Sequence, residues 1–313
     1  MSFEELFQNL KVILPLAGLI GWACVLLLVD LFIPKGRKGW TALLAALGLA
    51  GALGLTILQR DQLASAFYGM VMVDGFSIFL NVLVLGSGIA AIALAYDYLK
   101  RQGIERGEYY TLLLFSISGM LLMAQASDLI VIFLALELLS IPLYVLAGFA
   151  RPRVDSEESA LKYFLLGSFS GSFFVFGVAL VFGATSTTSL GGVAAIVANG
   201  SANLPLLIVG AALMLIGLGF KVAAVPFHMW TPDVYQGAPS AVTAFMSVGA
   251  KAAGFAALMR IFFATLSITA ADLTMVLWVL SALTMFTGNL VAIAQTNIKR
   301  MLAYSSIAHA GYI

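Results

Sequence analysis

The sequence predicts an all-α fold, a polytopic bundle of transmembrane helices, and three observations support that fold class. Of the 313 residues, 62% are hydrophobic and only 10% are charged, whereas about a quarter of the residues in a soluble domain carry charge. The apolar residues form unbroken runs of about 20 residues, the length that a helix needs to cross a bilayer. They do not alternate in ten-residue units, as the wall of a β-barrel would.

Apolar runs between polar breaks predict nine spans and the start of a tenth near residue 300. The first run is too long and too polar at its end to be a cleaved signal peptide, so we expect that it stays in the protein. The nine runs cover residues 11–33, 40–58, 75–96, 109–126, 129–149, 161–183, 204–227, 240–263 and 273–294.

Lys and Arg are unevenly distributed among the connections between these spans. Ten of them follow odd-numbered spans, whereas three (Lys11, Arg60 and Arg260) precede the first span or follow even-numbered ones. Connections rich in Lys and Arg normally stay in the cytoplasm. We therefore expect the odd-numbered connections to be cytoplasmic and the N-terminus to lie on the periplasmic side.

Composition also excludes several classes of function. A net charge of +1 excludes a nucleic-acid-binding protein that relies on a basic surface. The single cysteine, Cys24, can form neither an internal disulfide nor a four-thiolate metal or iron–sulfur site. The chain contains no glycine-rich phosphate loop and no dinucleotide fingerprint. We expect this chain to bind no metal and no redox cofactor, so that any redox chemistry belongs to a partner.

Three ionisable residues fall well inside the predicted spans: Glu137, Lys221 and Lys251. A charge at mid-membrane costs about 2.5–3.5 kcal/mol on insertion scales, so such groups normally face a bundle interior or a hydrated cavity and have a function. A carboxylate and two lysines can form a proton relay, because separating a carboxylate from an ammonium group changes the proton affinity of both. Glycine and proline near both lysines loosen the helices there: Gly217, Gly219, Pro226, Gly249 and Gly254.

Each candidate residue also has a purely structural interpretation, and this applies to the three residues above as well as to Lys162 and the two histidines. Glu137 and Lys221 could simply be an ion pair between helices. Lys162 can join the relay, or it can extend from a helix start to the membrane interface. His228 and His309 can extend a proton path, or each can be a hydrogen-bonded structural histidine. The small residues of Gly167–Gly171 indicate close helix packing, and the uncharged segment 184–203 predicts a loop with a short helix.

Residues 217–260 carry a resemblance to a known family. The stretch GLGFKVAAVPFHMWTPDVYQGAPSAVTAFMSVGAKAAGFAALMR resembles the signature region of the antiporter-like membrane subunits of respiratory NADH:quinone oxidoreductase, complex I. Two further segments agree, LALELLSIPLYVLAGF around Glu137 and ESALKYFLLGSFSG at 158–171. The resemblance covers essentially the whole chain.

The resemblance implies a proton-translocating subunit of a complex in the bacterial inner membrane. Glu137 and Lys221 would be its coupled pair and Lys251 its central relay. Residues 1–105 would form three N-terminal helices, 106–263 a five-helix repeat and 264–313 the start of a second, inverted repeat. NADH, FMN, iron–sulfur clusters and quinone would belong to the whole complex. The partners would be the lipid bilayer and other membrane subunits, both antiporter-like and of the quinone module.

Two alternatives for the function remain open from the sequence. Multi-subunit cation/proton antiporters share the pattern of a lysine followed by Pro-Phe-His-x-Trp-x-Pro-Asp, and co-purifying chains with flavin and iron–sulfur motifs would argue against that alternative. In a purely structural scaffold, the three charges would only orient helices.

The family also continues through a second repeat with a further lysine on its twelfth helix, whereas this sequence ends at Ile313. We therefore expect it to be part of a longer chain.

Overall fold

The computed structural model describes residues 3–263, 265–266 and 270–313. Seven of the described helices are long and apolar enough to cross a membrane, when the continuous helical stretch Ser240–Phe263 is counted as one helix. The number is eight if α1 and α2, which are bent by 83° at the break between them, form one span. This part of the chain is a multi-pass helical bundle, as the composition predicts. The helices are α1 (Phe3–Val12), α2 (Leu14–Asp30), α3 (Gly39–Leu58), α4 (Gly75–Arg101), α5 (Glu108–Gln125), α6 (Leu129–Ala147), α7 (Val154–Thr185), α8 (Leu190–Ala198), α9 (Leu204–Val222), α10 (Trp230–Gly237), α11 (Ser240–Phe245), α12 (Lys251–Leu258), α13 (Ala270–Ile293) and α14 (Ile298–Tyr312).

Three helix boundaries lie five or more residues from the ends of the expected spans. α4 continues to Arg101 rather than ending near residue 96. α7 begins at Val154 rather than near residue 161, because its first turn carries Asp155 and Glu157, which favour a helix N-terminus. α9 ends at Val222 rather than near residue 227, because Ala223 adopts a left-handed conformation with φ of 63°. α8 confirms the short helix expected within residues 184–203.

The connections at one end of the bundle are joined by backbone hydrogen bonds. β1 (Ala64–Ala66) pairs antiparallel with β2 (Val71–Val73), a short hairpin that the sequence pattern did not predict. The backbone of Ser127 accepts a hydrogen bond from Leu190 and donates one to Met70. The loops before α4, α6 and α8 therefore form one layer.

Glycines allow three pairs of helices to pack closely. A Cβ atom added at Gly119 of α5 would collide with the backbone of Leu139 in α6. A Cβ added at Gly177 of α7 would lie 2.6 Å from the carbonyl oxygen of Gly210 in α9. The close helix packing expected at the small residues of Gly167–Gly171 is confirmed. A Cβ at Gly171 of α7 would lie 2.9 Å from Oε1 of Glu137 in α6.

At the other end, which we call the basic end, an ionic network joins α7, α10 and α14. Asp233 of α10 accepts hydrogen bonds from Lys162 of α7, at 2.7 Å, and from Arg300 of α14. Lys162 also pairs with Glu158 at 2.7 Å. Burial by itself raises the pKa of Asp233, but the two cations outweigh burial and hold that pKa below its usual range.

A glycine substitution tests the close contact between α5 and α6. We expect Gly119→Ala to lower the free energy of unfolding by about 1–3 kcal/mol, because overpacking against backbone cannot be relieved by a rotamer change. Gly86→Ala on α4 is the control, since a Cβ there meets no atom within 4 Å. Thermal unfolding in detergent measures both variants, and equal stability of the two would contradict the close packing.

The ionic network predicts a pH-dependent stability. The folded pKa of Asp233 is below that of an unfolded aspartate, about 3.9, so the network stabilises the fold above that pH. Its contribution is lost as pH falls through the lowered folded value. We expect Asp233→Asn to cost on the order of 1 kcal/mol at neutral pH, and the difference from the parent chain to shrink below about pH 4.

Unfolding midpoints measured from neutral to acid pH test this sign. Asp61→Asn is the matched control, because the Asp61 side chain is 87% exposed and its one ion pair within the described part of the chain is with its neighbour Arg60. If Asp233→Asn lowered the stability below pH 4 as much as at neutral pH, Asp233 would not act through its charge.

Candidate functional site

Lys221 lies near the C-terminal end of α9 and is 4% exposed. Its Nζ donates to Oγ of Ser140 at 2.7 Å and to the hydroxyl of Tyr163 at 3.2 Å. The ammonium group also lies 5.6 Å from the centroid of the Tyr163 ring, within the range of a cation–π interaction. Two hydroxyl groups and one aromatic face therefore replace the water that this cation would bind outside the membrane.

Tyr163 is fixed by aromatic packing. Its ring stacks on Trp230 with the centroids 4.6 Å apart, and Trp230 in turn stacks on Phe220. The indole Nε1 of Trp230 donates to the carbonyl oxygen of Phe220 at 2.8 Å. Phe220 directly precedes Lys221, so the same stack fixes both the lysine backbone and the hydroxyl that it binds.

Glu137 lies on α6, one turn before Ser140, and is half-buried. No carboxylate oxygen lies within 4.0 Å of Lys221 Nζ among the described residues, so the expected Glu137–Lys221 pair is not a direct ion pair. The two charges still interact electrostatically. Ser140, on the same helix as Glu137, supplies the oxygen that the lysine reaches, and this oxygen itself donates to the carbonyl of Leu136.

Lys251 lies where a π-helical segment, Met246–Ala250, gives way to α12, and it is 6% exposed. Its Nζ donates to the backbone carbonyl of Ser306 in α14. A second π-helical segment, Met259–Phe263, follows α12. The sequence prediction that the helix is loosened around Lys251 is thus confirmed, since π-bulges insert extra residues into an α-helix.

Gly254 brings Lys221 and Lys251 into the same region of the bundle. A Cβ atom at Gly254 would lie 3.4 Å from Cγ of Lys221 and 2.9 Å from Val222. Gly254 follows Lys251 by three residues on α12 and therefore lies about one helical turn from it. The stem of Lys221 thus crosses the helix that carries Lys251.

His228 lies in the break between α9 and α10 and is 7% exposed. Its ring faces Tyr304 of α14 with the centroids 6.5 Å apart. Within the described residues, neither Nδ1 of His228 nor Oγ1 of the nearby Thr231 has a hydrogen-bond partner, although both atoms are buried. Burial lowers the pKa of His228, although a hydrogen bond with the backbone of Pro226 opposes this effect.

The structure does not bring Lys162 and His309 into this group. The Lys162 side chain is 41% exposed, and its ammonium group is bound by Glu158 and Asp233 at the basic end. This geometry matches the interfacial alternative for Lys162. His309 is exposed on α14, where its Nδ1 contacts the carbonyl of Ser305 on the same helix at 2.7 Å.

Arg260 forms a buried ionic contact that the sequence pattern did not indicate. Its position after an even-numbered span predicted a connection, but it is 7% exposed. Its guanidinium donates to Asp74 Oδ1 and to the carbonyl of Ala124, both at 2.9 Å. Burial raises the pKa of Asp74, but hydrogen bonds from Ser77 and Arg260 outweigh it and lower that pKa. In the sequence, Asp74 is recognisable as the residue that caps the start of α4. Nothing in the sequence pattern links it to Arg260.

No metal centre accompanies these groups in the part of the chain that the structure describes. There, no cluster of three or more His, Cys, Asp or Glu side chains could hold a metal ion. The chemistry that the site itself can perform is proton exchange between lysine, carboxylate and hydroxyl groups.

Comparison with known proteins supports the sequence resemblance. Residues 126–313 match the family described as NADH:quinone oxidoreductase/Mrp antiporter, TM. NADH-quinone oxidoreductase subunit N of Chloroflexus aggregans is 53% identical over 311 residues, covering 97% of this chain and 63% of that protein. Subunit N of Trichlorobacter lovleyi is 48% identical over 315 residues, covering 100% of this chain and 65% of that protein. The chain thus spans just under two thirds of the length of these relatives.

Solved structures have the same fold. A chain of respiratory complex I from Thermus thermophilus with bound aureothin superposes with a TM-score of 0.81 at 40% identity, covering 95% of this chain and 62% of that one. A chain of the Mrp complex from Dietzia sp. superposes with a TM-score of 0.80 at 21% identity, covering 99% of this chain and 58% of that one. The latter likeness concerns the fold alone. Together with the family match over residues 126–313, these findings show that the chain belongs to the NADH:quinone oxidoreductase/Mrp antiporter transmembrane family.

Proposed function

We propose that this chain is a proton-translocating membrane subunit of an NADH:quinone oxidoreductase and acts as a non-redox part of that translocase. The observation that carries the proposal is the pair of buried ammonium groups, Lys221 and Lys251, each at most 6% exposed in an apolar bundle. Charges in such surroundings are costly, and they normally mark a proton or ion path. The similarity to subunit N of two bacteria supports the same function.

The relay that we propose runs from Glu137 through Lys221 to Lys251. Lys251 first releases its proton onward and becomes a neutral amine, and Lys221 then passes its proton to Lys251 through water and becomes neutral in turn. Protonated Glu137 reloads Lys221 by way of Ser140 and is left as a carboxylate. In the structure the Ser140 hydroxyl accepts from Lys221 and donates to the carbonyl of Leu136. It takes part in the relay by turning its hydrogen from that carbonyl toward the neutral amine of Lys221 while it accepts a proton from the side of Glu137. A change in the charge of Glu137 alters the electrostatic field at Lys221, and the exchange can thereby be coupled to events in neighbouring subunits.

Water completes this path in our proposal. The buried, unpartnered atoms His228 Nδ1 and Thr231 Oγ1 lie beside the break between α9 and α10. Buried polar atoms of this kind normally bind ordered water. Water there would connect Lys251 to the basic end of the bundle, with His228 as an additional exchange group. The path has no step for Lys162 and His309, because their side chains lie apart from Lys221 and Lys251.

The proposal includes the wider organisation that the sequence suggests. Nine spans and the start of a tenth cross the bacterial inner membrane, with the N-terminus on the periplasmic side and the basic end in the cytoplasm. Residues 1–105, 106–263 and 264–313 form the N-terminal helices, the first repeat and the start of the second. NADH, FMN, iron–sulfur clusters and quinone are bound by other subunits of the complex, and the partners in the membrane are antiporter-like and quinone-module subunits.

Substitution of Glu137 or of Lys221 tests the proposed relay. We expect Glu137→Gln and Lys221→Ala each to reduce proton pumping in membranes that assemble the complex, on the order of tenfold or more, because positioned proton-transfer groups contribute about 10²–10⁴-fold. Pumping is followed with a pH-sensitive dye during NADH oxidation. Glu108→Gln and Lys35→Ala, both at exposed positions, are the controls. Normal pumping by both relay variants would leave Glu137 and Lys221 with a structural role only.

Ser140 tests the link between the carboxylate and the lysine. We expect Ser140→Ala to slow pumping several-fold while the complex still assembles, because Lys221 loses its closest oxygen. Ser118→Ala is the matched control, since the Ser118 hydroxyl is also buried and bonds to its own helix, at Leu114, but contacts no lysine. An equal effect of the two substitutions would contradict a role for Ser140 in the relay.

A cation/proton antiporter subunit is the second candidate, because the matching family includes Mrp antiporters. In that case an existing ion gradient, and not electron transfer, would drive the exchange. The chains that co-purify with the full-length protein separate the two candidates: flavin and iron–sulfur subunits support the oxidoreductase, and their absence from an active cation exchanger supports the antiporter.

A further inference from the structure

A groove opens at the basic end between the start of α3 and the last turns of α4. It has a volume of about 760 Å³, which falls within the usual range of ligand sites. Small and apolar residues form most of its wall, among them Gly39, Ala42, Leu43, Ala46 and Ala93. The groove is distant in sequence from Lys221 and Lys251 and takes no part in the relay.

The groove exists because the facing residues are small. A Cβ atom at Gly39 would lie 2.9 Å from the ring of Tyr96, so the glycine allows this ring to lie against the start of α3. Below it, the short side chains of Ala42, Ala46 and Ala93 leave the space between the helices open. The outer side chains of α3, Leu43 and Leu47, are 49% and 56% exposed and extend the apolar surface toward the membrane interior.

Two free cations lie at the mouth of the groove. Arg37 and Lys100 both line it and are exposed. Neither forms an ion pair within 4.0 Å among the described residues, whereas their sequence neighbours Lys38 and Arg101 pair with Asp30 and Asp97. The mouth therefore presents two uncommitted positive charges directly above an apolar channel.

The remaining mouth residues suit a headgroup at the membrane surface. Trp40 and Tyr96 line the groove and are 60% and 42% exposed, and such aromatic side chains concentrate at membrane–water interfaces. Glu105 also lines the mouth, and its carboxylate can accept hydrogen bonds from hydroxyl groups. A ligand with an anionic group, hydroxyls and an apolar tail would satisfy all of these side chains together.

We propose that this groove binds one anionic phospholipid, such as phosphatidylglycerol. Its phosphate lies between Arg37 and Lys100, a glycerol hydroxyl donates to Glu105, and an acyl chain follows the channel between α3 and α4. Basic pockets between transmembrane helices on the cytoplasmic side bind anionic headgroups in this way. An apolar helix of another subunit fits less well, because it would bury the two cations without a partner.

Fluorescence quenching of Trp40 by brominated lipids tests the proposal. The full-length chain, with the subunits that co-purify with it, is reconstituted into vesicles of equal parts phosphatidylglycerol and phosphatidylcholine. Bromine is placed on the acyl chains of one lipid or of the other, so that the membrane composition stays the same and only the label moves. The signal of Trp40 is the difference between each protein and its Trp40→Phe counterpart.

We expect bromine on phosphatidylglycerol to quench Trp40 more strongly, with an affinity ratio on the order of tenfold, because each nearby basic residue attracts anionic lipid. The Arg37→Gln/Lys100→Gln double variant should lose this preference. Arg101→Gln should keep it, because Arg101 is adjacent in sequence but does not line the groove. Equal quenching by the two labels in the parent chain would overturn the proposal. Absence of quenching by either label would also overturn it and would show that another protein covers the groove.

Discussion

The structure depends on placing the Lys221 ammonium group inside an apolar bundle with no carboxylate of the described residues in contact with it. The hydroxyls of Ser140 and Tyr163 take the place of water around this cation. Neutral oxygens stabilise an ammonium group less than a carboxylate does. Because these oxygens can also bond to a neutral amine, the surroundings are compatible with both protonation states. A direct ion pair with Glu137 would favour only the charged state.

The irregular helices follow from the same requirement. α9 ends directly after Lys221, and the chain turns at Ala223 into a non-helical segment that contains His228. The helix that carries Lys251 has π-helical segments on both sides of α12. Non-helical backbone at membrane depth is tolerated where it is buried in protein or lines water. Both lysines therefore lie beside backbone groups that are not fully used by an α-helix, and one of these lysines donates to a carbonyl of α14.

The sequence indicates the charged members of the proposed site but not its neutral members. Glu137, Lys221 and Lys251 could be found because lipid selects strongly against charge that has no function. Ser140 and Tyr163 could not, since hydroxyl residues are tolerated in any span and only the fold brings α6 and α7 to the end of α9. The same reason explains Arg260, whose partner Asp74 precedes a different helix. Helix positions followed from hydropathy, whereas the early end of α9 depends on the local conformation of Ala223.

A map of the assembled complex that resolves ordered water would test the central claim most directly. We expect a continuous chain of water and hydroxyl groups that joins Ser140, Lys221 and Lys251 and continues past His228. Tightly packed apolar side chains between the two lysines, with no water on either side, would contradict it, because protons could not then pass between them.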